Sequence, residues 1–326
     1  MQSNPPCPVC RGQEWDVLAE RVYSRSDTSR LDEYQKLRYR VLFEVWFPRS
    51  ESVVLRSVMC RQCGMVIYTP RPEEHDLRAK YAFLARLGPE PTKLSPTDPA
   101  EIRRSVRMSD YVCPFLPSGS ARVLDFGGGD GRLITDLVRR GCRGFVVDFE
   151  TSTLPGIQRL GSTAEDLPAD AAFDVVICSH VLEHVADPLD LLDILRGHLT
   201  REGLLYVEVP LEIWKGAPLQ DEPVTHINFF TRHTLESLLR QTGYAVRRSH
   251  VPRVTQGGET STHVVQGWAT RTDTAASPNF SGGPEATRRL LHPSWVLRMS
   301  RAAHYPRYWR GILRRRLLRK AGGAGA

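Results

Sequence analysis

Residues 122–133 place the strongest constraint on what this chain can fold into. A short apolar run, residues 123–124, ends in Asp125, and glycines follow at positions 127, 128, 129 and 131. The next segment has apolar residues at helical spacing, at Leu133, Ile134, Leu137 and Val138. Glycines let the chain turn tightly and let a ligand approach the backbone closely. The order of strand, glycine loop (residues 127–131) and helix is typical of a nucleotide-binding α/β unit.

Further predicted strands end in polar residues. Residues 144–148 end in Asp148, residues 173–180 end in Ser179 and His180, and residues 204–210 form another apolar run. Strands that alternate with helices predict a parallel, doubly wound sheet, with a ligand site at the carboxyl ends of the strands. Residues 244–253 and 262–271 predict an antiparallel hairpin that completes this α/β fold.

The spacing of the glycines distinguishes between two nucleotide cofactors. A dinucleotide fingerprint requires G-x-G-x-x-G, and Gly127 and Gly129 fit it, but Arg132 occupies the third position. The chain instead has D-x-G-x-G-x-G from Asp125 to Gly131. This pattern, with Asp148, AEDLP, FDVVICSHVLEHVADP and LLYVEVP in order, resembles class I (Rossmann-like) S-adenosylmethionine-dependent methyltransferases over residues 121–250.

The resemblance implies a role for each matching residue. Gly127, Gly129 and Gly131 would let the backbone approach the methionine part of S-adenosylmethionine, and Asp125 would hold its amino group. Asp148 would bind the ribose hydroxyls, and the loop at Glu165 would border the adenine. Ser179 and His180 would line the pocket near the methyl group. Thr163 stands where the family often has Asp, so Glu165 or Asp166 would replace that contact.

Two C-x-x-C pairs, Cys7 with Cys10 and Cys60 with Cys63, predict a structural zinc site. Each pair is followed closely by glycine, and four thiolates form the closed tetrahedral shell that zinc prefers. The alternative is a set of unrelated thiols or disulfides. Seven cysteines without an export signal favour reduced thiols and a cytoplasmic protein. The segments CPVC and CRQCGMVIYTPRP are also similar to the zinc-binding head of a bacterial methyltransferase subgroup that is often associated with sugars, surface polysaccharides or natural products.

These signals divide the chain into five parts. We predict a zinc-ribbon-like head (residues 1–72), a helical connector with a proline-rich linker (73–120), a methyltransferase domain (121–271), a second linker (272–284) and a basic amphipathic tail (285–326). Within the head, residues 41–47 and 52–58 are predicted to be strands.

The charge of the chain is concentrated in the tail. The net charge is +7 and the pI about 9.2, but nearly all charged residues of 285–326 are basic, so the remainder is mildly acidic. Tyr305, Tyr308 and Trp309 with apolar neighbours fall at helical spacing among arginines. Such a helix is compatible with three docking partners. These are the inner face of an anionic membrane, the surface of this or another protein, and, with less support, nucleic acid. No apolar run is long enough to span a membrane.

Methyl transfer to a hydroxyl requires removal of a proton, and histidine suits that role near neutral pH. His226 follows the strand at 204–210 in a loop that would cover the acceptor, and it is the first candidate for the base. His180 is the second, and His184 is expected to brace a turn. The sequence therefore predicts a methyltransferase for a small molecule or glycan, with an RNA methyltransferase and a non-catalytic scaffold as alternatives.

Overall fold

The computed structural model describes residues 5–27, 31–87, 94–117, 120–218, 225–256, 260–272 and 279–292. Its central sheet is formed by β4 (Arg122–Phe126), β5 (Arg143–Val147), β6 (Ile157–Gly161), β7 (Phe173–Ser179), β8 (Leu199–Pro210), β10 (Tyr244–His250), β11 (Arg253–Gln256) and β12 (Thr260–Arg271). The order across the sheet is β10-β12-β8-β7-β4-β5-β6, with β11 paired to β12. The strands β8, β7, β4, β5 and β6 pair with one another in parallel. β12 pairs antiparallel with β10 and with β8. The predicted α/β sheet with an antiparallel final hairpin is confirmed.

Helices cover both faces of the sheet because its strands carry apolar residues on both faces. Along β7, Val175 and Ile177 pack toward α3 (Pro99–Val112) and α4 (Thr135–Arg139), while Val176 and Cys178 pack on the opposite side. That side is covered by α5 (Pro188–Gly197) and α6 (Arg232–Gln241) through four leucines, Leu192, Leu195, Leu235 and Leu238. Because successive side chains of a strand point to opposite faces of the sheet, the core forms two layers, one on each face.

Polar caps fix the helices that frame the site. The Asp98 carboxylate accepts a hydrogen bond from the Ala100 amide at the start of α3. Asp187 does the same for the amides of Leu189 and Asp190 at the start of α5. The connection from β5 to β6 contains no helix in its described residues, so the expected strand–helix alternation is interrupted there.

The N-terminal head has its own sheet, in the order β1-β2-β3-β9. β1 is Trp15–Ser24, β2 is Ser52–Cys60, β3 is Val66–Thr69 and β9 is Asn228–Phe229. β9 lies far outside the predicted head boundary, and it pairs antiparallel with β3. The head therefore includes a strand that comes from the loop after β8.

The predicted strand at residues 41–47 is wrong. The chain forms α1 (Glu33–Arg40) and continues into a π-helical turn, Val41–Trp46, in which the Phe47 amide donates to the Leu42 carbonyl. A short apolar run fits a strand or a buried helix equally well, and periodicity alone does not separate the two. Here Leu42, Phe43 and Trp46 pack into the head core, which also contains Ile213, Ile227 and Phe229.

Two more helices belong to the described part of the chain. α2 (Glu74–Arg86) follows the head, and α7 (Gly283–Leu291) lies against the second cysteine pair. The Thr287 hydroxyl donates to the Gly64 carbonyl at 2.8 Å, and Arg288 forms an ion pair with Asp16 at 3.0 Å. The first part of the predicted tail thus packs on the head, while residues 293–326, with the predicted amphipathic helix, lie outside the described residues. Among the described helices, none is long and apolar enough to cross a membrane.

Candidate functional site

The glycine loop turns at the end of β4 through left-handed backbone conformations. Gly127, Gly129 and Gly131 have φ values of 73°, 60° and 82°. A Cβ on Gly127 would overlap Val181 Cγ2, and one on Gly131 would lie 2.7 Å from Ile157 Cδ1. Conformation therefore favours glycine at all three positions, and space also requires it at Gly127 and Gly131.

A cavity of about 300 Å³ opens between this loop and α3. The loop glycines, Asp125 and Ser179 line one side. Glu101 and Arg104 of α3 line the other, so the basic Arg104 lies across the cavity from the carboxyl group of Asp125. The sequence did not point to Arg104, because it lies on a connector helix without a recognisable motif.

Asp125 is an isolated carboxyl group at the base of the cavity. It is 1% exposed, and its Oδ2 has no hydrogen-bond partner among the residues that the structure describes. Burial raises the pKa of Asp125 to about 7, and attraction to Arg104 opposes that shift. A buried acceptor without a partner is costly in a folded protein, and a cationic ligand would satisfy it.

Asp148 follows β5 and faces the glycine loop. Its Oδ2 accepts a hydrogen bond from the Gly129 amide at 2.9 Å, and its Oδ1 accepts one from the Glu150 amide at 2.8 Å. The neighbouring Phe149 stacks on Tyr81 of α2, with ring centroids 5.3 Å apart. Asp148 thus stands at a strand end, as predicted, and it also orders the glycine loop.

Glu165 lies apart from this cavity. It is an exposed residue of the short helix Ala164–Asp166, and a hydrogen bond with Thr163 lowers its pKa. The Asp166 carboxylate accepts hydrogen bonds from the amides of Ser162 and Thr163 and so closes this turn. Of Glu165 and Asp166, Asp166 is therefore the one whose carboxylate already binds backbone amides of its own loop.

His180 is held between two buried carboxylates directly after β7. Its backbone is left-handed, with φ 58°, which places Nδ1 3.2 Å from Glu183 Oε1 and Nε2 3.3 Å from Glu208 Oε1. Burial disfavours the imidazolium, but the two carboxylates outweigh that effect and raise the pKa of His180 to about 9. The side chain is therefore protonated at neutral pH.

Glu208 anchors this arrangement from β8. Besides His180, it accepts hydrogen bonds from Tyr206 Oη at 2.8 Å and Gln266 Nε2 at 2.6 Å. Burial would raise its pKa, but His180 and these donors lower the pKa of Glu208 to about 2. The carboxylate stays ionised, so His180 keeps both its charge and its orientation.

His184 and His226 form a second group beside the first. Their rings meet edge to face, with centroids 4.7 Å apart. His226 Nδ1 donates to Glu212 Oε2 at 2.8 Å, and His184 Nδ1 donates to the Thr225 carbonyl at 2.9 Å. In both hydrogen bonds the ring nitrogen is the donor, because carbonyl and carboxylate oxygens are acceptors. Burial lowers the pKa of His184 well below its usual value, so that ring is neutral.

Among the residues that the structure describes, two groups of side chains could hold a metal ion. In the head, Cys7 Sγ lies 3.5 Å from Cys63 Sγ and Cys10 Sγ lies 3.4 Å from Cys60 Sγ. All four sulfurs lie within 4.8 Å of one another, and none forms a disulfide. Ligand atoms of Glu183, His184 and His226 also lie within 4.8 Å of one another. The four-thiol group has the composition of a structural zinc site, as the cysteine spacing predicted.

Comparison with known proteins assigns the family. A family model described as "Methyltransferase domain" matches residues 76–249, and the chain belongs to this methyltransferase family. Among curated proteins, the chain is 34% identical over 126 residues to a ubiquinone biosynthesis O-methyltransferase of Xylella fastidiosa, covering 34% of this chain and 50% of that protein. A Xanthomonas campestris protein of the same name is 32% identical over 126 residues, covering 34% and 52%. The chain thus spans about half the length of the curated relatives that it matches.

Solved structures of methyltransferases also match this chain, at lower sequence identity. One is the 1,6-didemethyltoxoflavin-N1-methyltransferase of Burkholderia thailandensis, with bound 1,6-didemethyltoxoflavin and S-adenosylhomocysteine. It is 19% identical, covers 66% of this chain and 98% of its own, and has a TM-score of 0.47. Another, an S-adenosylmethionine-dependent methyltransferase from Mesorhizobium loti, is 17% identical, covers 50% and 98%, and has a TM-score of 0.40.

Proposed function

We propose that this protein transfers a methyl group from S-adenosylmethionine to a hydroxyl of a small molecule or glycan. The observation that carries the proposal is the His226–Glu212 pair, an imidazole fixed by a partly buried carboxylate. His180, which also acts electrostatically on Glu212, directly follows Ser179 in the wall of the cavity. The curated relatives, named O-methyltransferases of ubiquinone biosynthesis, support oxygen as the acceptor atom and a small molecule as the substrate.

The residues of the cavity fit the methionine part of the cofactor. Asp125 offers an unpartnered acceptor to the amino group, and Arg104 offers a cation to the carboxylate. Asp148 would bind the ribose hydroxyls, and Glu165 would border the adenine, as the family resemblance implies. S-adenosylmethionine supplies a methyl group on a positively charged sulfur, so the protein has to position the acceptor and remove its proton.

His226 is the proposed base. Glu212 occupies Nδ1, so the proton of the acceptor hydroxyl would pass to Nε2, and the imidazolium that forms would be stabilised by the ionised carboxylate. Burial would raise the pKa of Glu212, but attraction to His226 outweighs burial and lowers it. His180 would not serve as the base, because it is already protonated and both of its ring nitrogens face carboxylates.

We also propose that the four head cysteines bind one structural zinc ion. Four reduced thiols that converge from two separate turns form a closed tetrahedral ligand set, which leaves no open position for catalysis. The zinc would join the loop at Cys7 to the turn between β2 and β3, which contains Cys63.

The pH dependence of cofactor binding tests the role of Asp125. Because its pKa is raised to about 7, Asp125 is mostly protonated at pH 6 and mostly ionised at pH 8. The cofactor amino group binds the ionised form, so we expect the Kd for S-adenosylmethionine to be about 10-fold higher at pH 6 than at pH 8. Calorimetry on the wild type and Asp125→Asn checks this, and the variant should bind weakly with little pH dependence. A strong pH dependence that persists in Asp125→Asn would assign it to another group.

A methyl-transfer assay with labelled S-adenosylmethionine tests the function itself. We expect transfer to members of a panel of phenols and sugars with free hydroxyls, and none to the same compounds with that hydroxyl already methylated. Bulk RNA and its nuclease digest serve as the comparison for the RNA alternative. Labelling of intact RNA without labelling of any hydroxyl compound, or no labelling at all, would contradict the proposal.

A further inference from the structure

The segment that carries His226 is built into the sheet of the head. We call residues 225–229 the His226 segment. Its last two residues form β9, which pairs with β3 through Val66 opposite Phe229 and Ile67 opposite Asn228. Phe229 also packs edge to face on Tyr68, with centroids 4.9 Å apart. The position of His226 therefore depends on an element that is far away in sequence.

Arg71, two residues after β3, makes a second connection. It is 4% exposed, and its guanidinium donates to three acceptors: the Ala186 carbonyl at 2.7 Å, Asn228 Oδ1 at 2.8 Å and the Ile227 carbonyl at 3.3 Å. None of these acceptors is charged. A guanidinium at this depth is costly to bury, and its fixed planar fork is suited to joining several acceptors.

The three acceptors of Arg71 belong to two segments that also bond to each other. Asn228 Nδ2 donates to the carbonyls of Leu182 and Val185. The amides of Ile227 and Asn228 both donate to the Glu183 carbonyl. Arg71 thus spans the contact between the His226 segment and the turn at residues 182–186, which carries Glu183 and His184.

A second buried cation of the same region acts on the same segment. Lys80 of α2 is 2% exposed, and its Nζ donates to the Thr225 carbonyl at 3.2 Å. This carbonyl also accepts the hydrogen bond from His184 Nδ1. Two cations from the N-terminal part of the chain thus reach both ends of the His226 segment.

We propose that Arg71 is a positioning residue that holds the His226 segment against the turn at residues 182–186, so that the head sets the orientation of His226. This inference rests on the proposed role of His226 as the base. Arg71 would act through the loop and would touch neither the cofactor nor the acceptor.

The test compares Arg71→Lys and Arg71→Ala with the wild type. We expect kcat to fall about 10-fold in Arg71→Lys and about 100-fold in Arg71→Ala, because small misplacements of a catalytic group are costly. The KM for S-adenosylmethionine should change less than about twofold, since the glycine loop is not affected. Arg56→Ala is the matched control, because Arg56 is an exposed head arginine that pairs with Glu20.

Hydrogen exchange provides a readout that does not depend on the acceptor. The amides of Ile227 and Asn228 should exchange at least about 10-fold faster in both Arg71 variants, while those of β4 remain protected. Unchanged exchange in a folded Arg71 variant would overturn the inference, whatever the outcome of the acceptor assay. An equal rise in exchange throughout β4 and β7 would show a general structural role and would also overturn it. If Arg71→Ala does not fold, Arg71→Lys decides.

Discussion

Replacing His226 with alanine is expected to lower kcat by about two to four orders of magnitude. The variant loses the proton acceptor and leaves Glu212 without the partner that offsets its burial. The glycine loop, Asp125 and Asp148 are unchanged, so the Kd for S-adenosylmethionine should stay within about twofold of the wild type. Calorimetry and a methyl-transfer assay at saturating cofactor separate these two effects.

Two further variants separate base catalysis from loss of packing. Glu212→Gln keeps the volume but removes the charge, so we expect an intermediate fall in kcat. His198→Ala is the matched control, because His198 follows α5 directly, its Nδ1 contacts the Ala171 carbonyl, and it does not line the cavity. Near-normal turnover of His226→Ala at saturating acceptor would rule out His226 as the base.

Removing the zinc ion that we propose for the head is expected to have the second large effect. Structural zinc sites bind with an apparent free energy of about 10–16 kcal/mol, which adds to folding stability. Cys60→Ser and Cys63→Ser should therefore contain less than one equivalent of zinc and should unfold in two steps, with the head melting first. Metal analysis and calorimetry check this.

Loss of the zinc should also reduce turnover, because β3 and Arg71 follow the second cysteine pair directly. Cofactor binding should be retained to a larger degree, since Asp125 and the glycine loop belong to the central sheet. Cys113→Ser, which changes a partly exposed cysteine outside the group, is the control. A wild-type protein that is isolated without metal and is fully stable would contradict the zinc proposal.

The sequence predicted the parts of the site that depend on local signals. The glycine loop and Asp148 follow strands whose apolar runs are easily recognised, and parallel strands bring their carboxyl ends to one edge. The cysteine spacing likewise predicted that four thiols converge. In each case a short motif contained the residues that act together.

The remaining features depend on contacts between distant parts of the chain. Arg104 lies in a segment without a motif, and Arg71 lies in a segment that the sequence linked to zinc binding alone. Their roles become visible when α3 lies on the cavity and β3 pairs with β9. The charge of His180 was also hidden, because Glu208 comes from another strand. The sequence predicted His226 as the candidate base, but it did not predict Glu212 as the partner of that histidine.

A double-mutant cycle between Arg71 and His226 measures whether the head acts on catalysis by positioning this histidine. The cycle uses Arg71→Lys, His226→Ala, the double variant and the wild type, all at saturating cofactor. We expect Arg71→Lys to lower kcat about 10-fold in the wild type but less than about twofold in the His226→Ala background, because coupled residues are not additive. An equal effect of Arg71→Lys on kcat in both backgrounds would contradict a role of the head in positioning His226.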